Sequence, residues 1–587
     1  MSKSVLSRPT VAKSQDRNPF DNSCFRNWHQ SLGMLIPVYC KAFPAGTKGS
    51  FNRFAFTRTK KVLYPAFQGV HECIDVFKVP IRLLWSQWND WKLNINDLNS
   101  SALVSAVVGT GGSISPQLGQ PTMVPRFDFG NCHSVLTGDD SLEKVILFND
   151  SLRLLDSLRY GQTTAFTNVP NVMSVFKLAA YQKIYYDHYR NTAYESNDPY
   201  AYNLDFSYGP SSSDINGVLD VTENIKSAHA MKEMLTLRYV NLRNDAMHNL
   251  YPSLDYVLSQ PNGTSWSLPS SVVGANYAAP VPGDPSYTVY GSGHWSGSPS
   301  SYVEVKTDSQ GRSGVTAQSI RSMFALDKLL RASAYAPKHV KDQFKARFGV
   351  DLPDSVQLHS DRLGSFKNDV IFGEVTSMAN TADTGSNLGD VGGKGVGSAQ
   401  WNEKSIPFYC EEDSIIMALH YFTLDPVYDS TCVDEWNIKL AKEDFFQPEF
   451  QNLGLRPFYR KFLDNTGTLV SQNQILGYTV PNQSYKIEPD LNTGIFNDSF
   501  MQVNENNEVV TTSSPLRAFV AHTNLQSGYS SSNGVDYRYF KVYPWMLNSV
   551  FQEETNNWDY LTDQFYGHLE FRVPVVEPMS VHGQPSL

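Results

Sequence analysis

HLEFRV, residues 568–573, alternates strictly. Leu569, Phe571 and Val573 fall on one face and His568, Glu570 and Arg572 on the other, the period-two pattern of a half-buried strand. Near the opposite end, CIDVFKV (73–79) is rich in residues that suit a pleated sheet, Phe54 and Phe56 alternate with Ala55 and Thr57, and Pro80 stops the strand. SIIMALHYFTL (414–424), LRAFVAH (516–522) and YRYFKVY (537–543) read as further strands. Helical stretches lie between. IRLLWSQWNDW (81–91) sets Leu84, Trp88 and Trp91 on one side. The span 141–161 has Asp140 near its N-cap and Gly161 just past its end, and 172–190 and 222–248 also read as helices. In 316–334 Ile320, Phe324, Asp327 and Arg331 mark successive turns; in 337–349 Pro337 starts a helix, Val340, Phe344 and Phe348 stand at i, i+4, i+8, and Gly349 ends it. Strands near both ends with helices and long loops between exclude regular βαβ alternation. They predict a mainly β fold, one antiparallel barrel whose strands come from distant parts of the chain.

Composition narrows the function. Of 587 residues, 41% are hydrophobic and 13% aromatic, enough apolar material for a large core, while only 18% are charged. A surface built on Tyr, Asn, Ser and Gln makes contacts without desolvating many charges, which suits extensive protein–protein contact and also sugar binding. Residues 1–61 hold eleven Lys/Arg against Asp16 and Asp21, a balance of +9 on a chain of net −10. This predicts a basic extended arm over 1–30 on an acidic body. Lys3, Arg8, Lys13, Arg17 and Arg26, followed by Phe20, Phe25 and Trp28, are the candidate nucleic-acid contacts, because a cationic strand with nearby rings neutralises phosphates and stacks on unpaired bases without sequence preference. The alternative is a solvated tail or a clasp on a neighbouring subunit. No run approaches the ~18 apolar residues of a membrane helix, and the opening MSKSVLSRPTVAKSQDRNPFD has no secretion-signal pattern. The six widely spaced cysteines read as buried thiols of a chain made in a reducing cytoplasm.

Motifs for chemistry fail on detail. In GSNLGDVGGKGVGS (385–398) Leu388 replaces a required glycine and Gly395 the Mg²⁺-holding Ser/Thr, so it reads as a flexible surface loop rather than a phosphate loop. GTGG (109–112) lacks the third glycine of a dinucleotide fingerprint. His71-Glu72 opens like a zinc-protease motif but Asp75 stands where the second His belongs. Glu411-Glu412-Asp413 reads as an acidic turn rather than a glycosidase pair, and His420, inside an apolar strand, as a satisfied core or interface histidine. No catalytic, cofactor or metal residue is expected, and the protein is read as not an enzyme.

Five segments in order resemble the major capsid protein of microviruses, small icosahedral single-stranded DNA phages, nearest the gokushovirus-like branch or a relative infecting Bacteroidetes. VPIRLLWSQWNDW (79–91) is similar to the family's VPxRLLWxxW block, AYQKIYYDHYRN (180–191) to AYxxIYNxWYRD, and LRYVNLRNDAMHNLYP (237–252) to LRxxNKRxDYFTxxLPWP. TAQSIRSMFALDKLLRASA (316–334) resembles TxNxLRxAFxxQKLLERxA, and LGYTVPNQSYKIEPDLNTGIF (476–496) resembles FGYQExxxEYRxxPxxxTGxF. His188 stands where the family has Trp, and the PWPQ-like run is reduced to Tyr251-Pro252. The resemblance implies an eight-stranded antiparallel jelly-roll barrel with large helical and loop insertions over 31–587, and a T=1 shell of sixty copies around a circular single-stranded DNA genome. It further implies assembly in the host bacterial cytoplasm with an internal scaffolding protein, a minor pilot protein and a small basic DNA-binding protein, virion localisation, and a host surface receptor. The competing reading of the composition is a β-rich glycan-binding or glycan-cleaving protein.

Residues 256–303 hold one charged residue, Asp284, in forty-eight positions, and the resemblance places there an insertion that projects from the shell. Trp266, Tyr277, Tyr287, Tyr290 and Trp295 offer flat faces for sugars or for packing between copies. Replacing 256–303 by a short Gly/Ser linker is expected to leave shells that assemble but adsorb poorly to the host, since a loop that leaves the core adds little buried area; electron microscopy and adsorption counts check the two halves separately.

Overall fold

A computed structural model describes residues 17–62, 69–93, 124–129, 142–161, 172–205, 228–245, 247–252, 339–352, 358–376, 391–399, 405–428, 432–440, 442–448, 454–463, 475–491, 537–544 and 563–581, with a few single positions between. The strand expected at 516–522, the segment 256–303 and nearly all of 316–334 lie outside the described residues. In chain order the strands are β1 (Asn18–Asp21), β2 (Cys24–Gln30), β3 (Ile36–Phe43), β4 (Lys48–Val62), β5 (Val70–Pro80), β6 (Arg126–Asp128), β7 (Val172–Ser174), β8 (Asp361–Thr376), β9 (Val391–Ala399), β10 (Ile406–Tyr409), β11 (Ser414–Leu424), β12 (Arg456–Tyr459), β13 (Ile475–Thr479), β14 (Phe565–Arg572) and β15 (Pro574–Glu577).

Eleven of these make one antiparallel sheet in the order β1-β15-β4-β9-β8-β5-β11-β3, with β10 on β4 and β14 between β2 and β4. Eight of the eleven are seven residues or longer, as the jelly roll requires; β1, β10 and β15 are four-residue additions at the margin. The sheet curls into a half-barrel, and β8 shows how. Asp361 to Val370 pairs with β5, then Ile371 to Thr376 pairs with β9. One strand thus belongs to both halves.

Alternation decides what faces in. On β14 Leu569 and Phe571 are fully buried, as is Val573 just beyond. Phe422 of β11 stacks on Phe565 at 4.1 Å and 6°. The barrel interior also holds polar groups. His420 Nδ1 lies 3.0 Å from the Gln30 amide oxygen and Nε2 2.9 Å from Glu72, which accepts from Thr57 (2.8 Å) and Asn368 (3.3 Å). Burial pushes the Glu72 carboxyl up, but His420, Thr57 and Arg53 outweigh it and hold the group below its usual range.

Four expectations are corrected. Half of the glycine-rich loop is strand β9, inserted between β4 and β8. A Cβ at Gly397 would come within 3.3 Å of Thr57, so the small residue suits a close approach. YRYFKVY begins as a 3-10 turn, Tyr537–Phe540, because Tyr539 and Phe540 fold into a second core where His248 stacks on Tyr539 at 4.8 Å. The helix 172–190 is β7, then a helix Phe176–Ile184 ending in a π turn. The helix 222–248 is only Ala228–Leu235 among the described residues; the chain then extends, the Arg238 carbonyl accepting from the Leu35 amide while the Val240 and Leu242 amides donate to the carbonyls of Gly33 and Phe540.

Helix Leu142–Ser157 packs on β3 and carries Asp150, 5% exposed, whose carboxylate accepts from the Tyr239 hydroxyl at 2.9 Å. Burial pushes this carboxyl from 3.8 up to about 6, against the pull of Tyr239 and Arg153. A raised folded-state value favours folding below pH 3.8, and that contribution is lost as pH rises through about 6. Asp150→Asn keeps an acceptor for Tyr239 without the buried charge. It is expected to stabilise the protein by up to about 3 kcal/mol above pH 7 and to change little at pH 4, read from melting temperature against pH.

Candidate nucleic-acid interface

Period two gives β2, β14 and β4 an outer face as well as an inner one. Register aligns Asn27, His568 and Phe56 in one row, and His29, Tyr566 and Arg58 in the next. Phe25, 70% exposed, stands beside His568 with ring centroids 5.5 Å apart. The Arg58 guanidinium lies 5.0 Å over the Phe56 ring. Asn27, His29, Phe56, Arg58, Tyr566 and His568 line a shallow open groove of about 450 Å³. Its floor is Gly567, where a Cβ would fall 2.3 Å from the Phe56 carbonyl and 2.9 Å from Trp28. Gly567 is in register with inward-facing Trp28 and Thr57, so it is close packing on the inner face that requires glycine there. Rings, a guanidinium and two imidazoles along one open track are what sequence-tolerant binding of single strands uses.

Of the five candidate cations, two are described. Lys3, Arg8 and Lys13 lie outside the described residues, as do Trp266, Tyr277, Tyr287, Tyr290 and Trp295. Arg17 opens the described chain, exposed and with its guanidinium near Gly46. Arg26 points to the inner face of β2, opposite the groove, and donates to the carbonyls of Pro37 (3.0 Å) and Ser157 (2.9 Å). Burial, with Arg159 nearby, lowers its affinity for its proton. Residues 18–30 of the expected arm are strands β1 and β2 of the sheet. The groove residues Phe56, Arg58, Tyr566 and His568 were missed, although RFAFTR (53–58) shows ring and cation on alternate positions.

The other candidates are spent on structure. Arg82 donates twice to Glu412 (3.0 and 2.9 Å), and Asp413 accepts from Trp88 Nε1 (2.9 Å), the Ala45 amide (3.0 Å) and Lys92. These bonds hold the Asp413 carboxyl below its usual range against burial. His71 is bracketed by Asp369 (2.6 Å) and Asp425 (2.9 Å). Among the described residues Asp198, His229 and Glu233 come within ligating range of one another, but Glu233 is ion-paired to Arg238 at 2.8 Å.

Comparison with known proteins adds two findings. The model of the family described as Capsid protein (F protein) matches residues 154–512. Capsid protein VP1 of Chlamydia phage 1 is 24% identical over 200 residues, 33% of each chain, so the aligned stretch spans a third of that relative's length.

Proposed function

This chain belongs to the Microviridae capsid protein (F protein) family, and we propose that it is the subunit of a T=1 icosahedral shell, sixty copies enclosing a circular single-stranded DNA genome. The observation that carries the reading is the family match over more than half of the chain. The eight long strands and the low surface charge support it, and the ion-paired acidic turn supports a structural rather than enzymatic role. The basic arm and the groove of Phe56, Arg58 and Tyr566 face the interior and hold DNA without reading sequence. Scaffolding, pilot and small DNA-binding proteins, and a host receptor engaged by 256–303, complete the set of partners, and assembly takes place in the bacterial cytoplasm.

The shell of native particles is expected to weigh about 3.9 MDa, sixty chains of 65.8 kDa, with the packaged DNA and partner proteins in addition. Mass photometry that found only single chains in phage-producing cells would overturn the reading. Arg58→Ala and Tyr566→Ala, made singly, are expected to leave shells intact and to weaken binding of a single-stranded oligonucleotide by about tenfold each, the scale of one stacked base. Arg58→Ala also flattens the salt dependence by about 0.7 in log–log slope, the signature of one lost phosphate contact. Unchanged affinity in both variants would remove the groove from the interface.

A further inference from the structure

Helix Val340–Phe348 ends at Gly349 in the left-handed conformation, as the sequence predicts, but begins at Val340 after an extended His339 rather than at Pro337. Its apolar stripe faces outward. Phe344 and Phe348 are 41% and 69% exposed with rings 5.5 Å apart, and Val340 and Val350 are exposed beside them. Lys341, Lys345 and Arg347 against Asp342 and Asp351, the latter ion-paired to Lys345 at 3.0 Å, leave this surface net basic. A second surface has the opposite character. Trp436 and Tyr485 hold the Lys439 ammonium between their rings, 5.3 and 4.6 Å from the centroids, while Lys439 Nζ lies 3.3 Å from Glu435 and 3.2 Å from Ser484 Oγ. Phe446 stands 6.1 Å from Tyr485, and Leu440 is 91% exposed. Asp434 accepts from the Trp436 amide (3.0 Å) and Asp444 from the Leu440 amide (3.2 Å), and Glu488 and Asp490 follow Tyr485 in the chain; all four are exposed, and with Glu435 they outnumber Lys439, Lys442 and Lys486.

Exposed clusters of large apolar residues mark contact surfaces. Trp, Tyr and Phe held in place by their own packing are the residues that dominate binding, because little side-chain entropy remains to be lost. Neither surface suits a copy of itself. A two-fold contact would set the basic helix against a basic helix, or the acidic surface against an acidic surface, and like charges brought together cost several kcal/mol in such contacts. We propose that the stripe of helix Val340–Phe348 on one subunit docks on the Trp436–Tyr485 platform of the next subunit. The contact is heterologous, so copies follow one another head to tail and close into a ring about a symmetry axis. It rests on the shell reading and specifies which faces of the subunit build the shell.

The test uses particles from phage-producing cells. Val350→Cys and Leu440→Cys lie beside the two anchor sets and leave them intact. Particles built from a mixture of the two variants, treated with a flexible bismaleimide, are expected to give covalently joined pairs, each containing one chain of either kind; particles of one variant alone are expected to give none above wild type. Joining of Val350→Cys chains to each other, or no joining in mixed particles, would overturn the proposal. Phe344→Asp and Trp436→Ala are each expected to lower particle yield about tenfold or more, the loss of one anchor, with the melting temperature of the isolated subunit unchanged. Normal yield from both would overturn it too. If wild-type chains form no multi-copy particle, the shell reading itself fails, and that outcome is distinct from intact particles with the wrong cross-links.

Discussion

The Glu72–His420 pair is the constraint on which the barrel depends. Both side chains have no exposure, and the pair with its partners spans five strands: Gln30 of β2, Thr57 of β4, Glu72 of β5, Asn368 of β8 and His420 of β11. Apolar packing is non-directional and would tolerate a sheet slipped by two residues. A buried carboxylate is not so tolerant, since leaving it without partners costs about 3–5 kcal/mol. The cluster therefore sets register in both halves of the half-barrel at once. Aromatic contacts then fill around it. Trp28 sits edge-on to His420 at 4.4 Å, and Phe422, 5.0 Å from His420, stacks on Phe565.

The same strands that close over this cluster determine what remains outside. On β4 the inward row is Phe51, Arg53, Ala55, Thr57 and Thr59, so Phe54, Phe56 and Arg58 have the outer face. Small inward residues make room for the buried polar cluster and for β9, whose Gly397 lies close to Thr57. A solvent-facing sheet would ordinarily carry polar side chains in those rows. Here they carry Phe25, Phe56 and Tyr566, and that departure from a solvated face is what suits the groove to stacking.

Legibility in the sequence followed the strength of local pattern. β5, β11 and β14 were legible because alternation or a β-branched, aromatic run continued to a clear stop such as Pro80. The end of helix Val340–Phe348 was legible because Gly349 stops it; its start lies three residues beyond the expected Pro337. β9 was not legible, since its glycines report a close approach between strands and carry no hydrophobic period. The run 537–543 misled because aromatic residues suit a strand or a buried turn equally, and tertiary packing on His248 decided between them. Arg26 and Arg58 show the limit for sites. Both are cations in aromatic surroundings, and only strand register reveals that Arg26 faces Pro37 and Ser157 while Arg58 faces the groove.

How copies of such a sheet meet without merging follows from its margins. An unpaired strand edge is a template for another chain. β3 ends the main path, and its margin is occupied: Tyr181 donates to the Leu35 carbonyl just before the strand (2.9 Å), Arg26 to the Pro37 carbonyl, and Pro37 has no N–H to offer. β1 at the other end contains Pro19, and β10, paired only with β4, contains Pro407. Proline on an edge strand removes a ladder donor where a foreign strand would dock. Strand addition, which propagates without limit, is therefore disfavoured at these margins. Contact between copies falls instead to side-chain surfaces, whose shape and charge permit a finite number of neighbours. A protein rich in Tyr, Phe and Asn and poor in charge needs that restriction more than most, because its surface has little charge repulsion to keep edges apart.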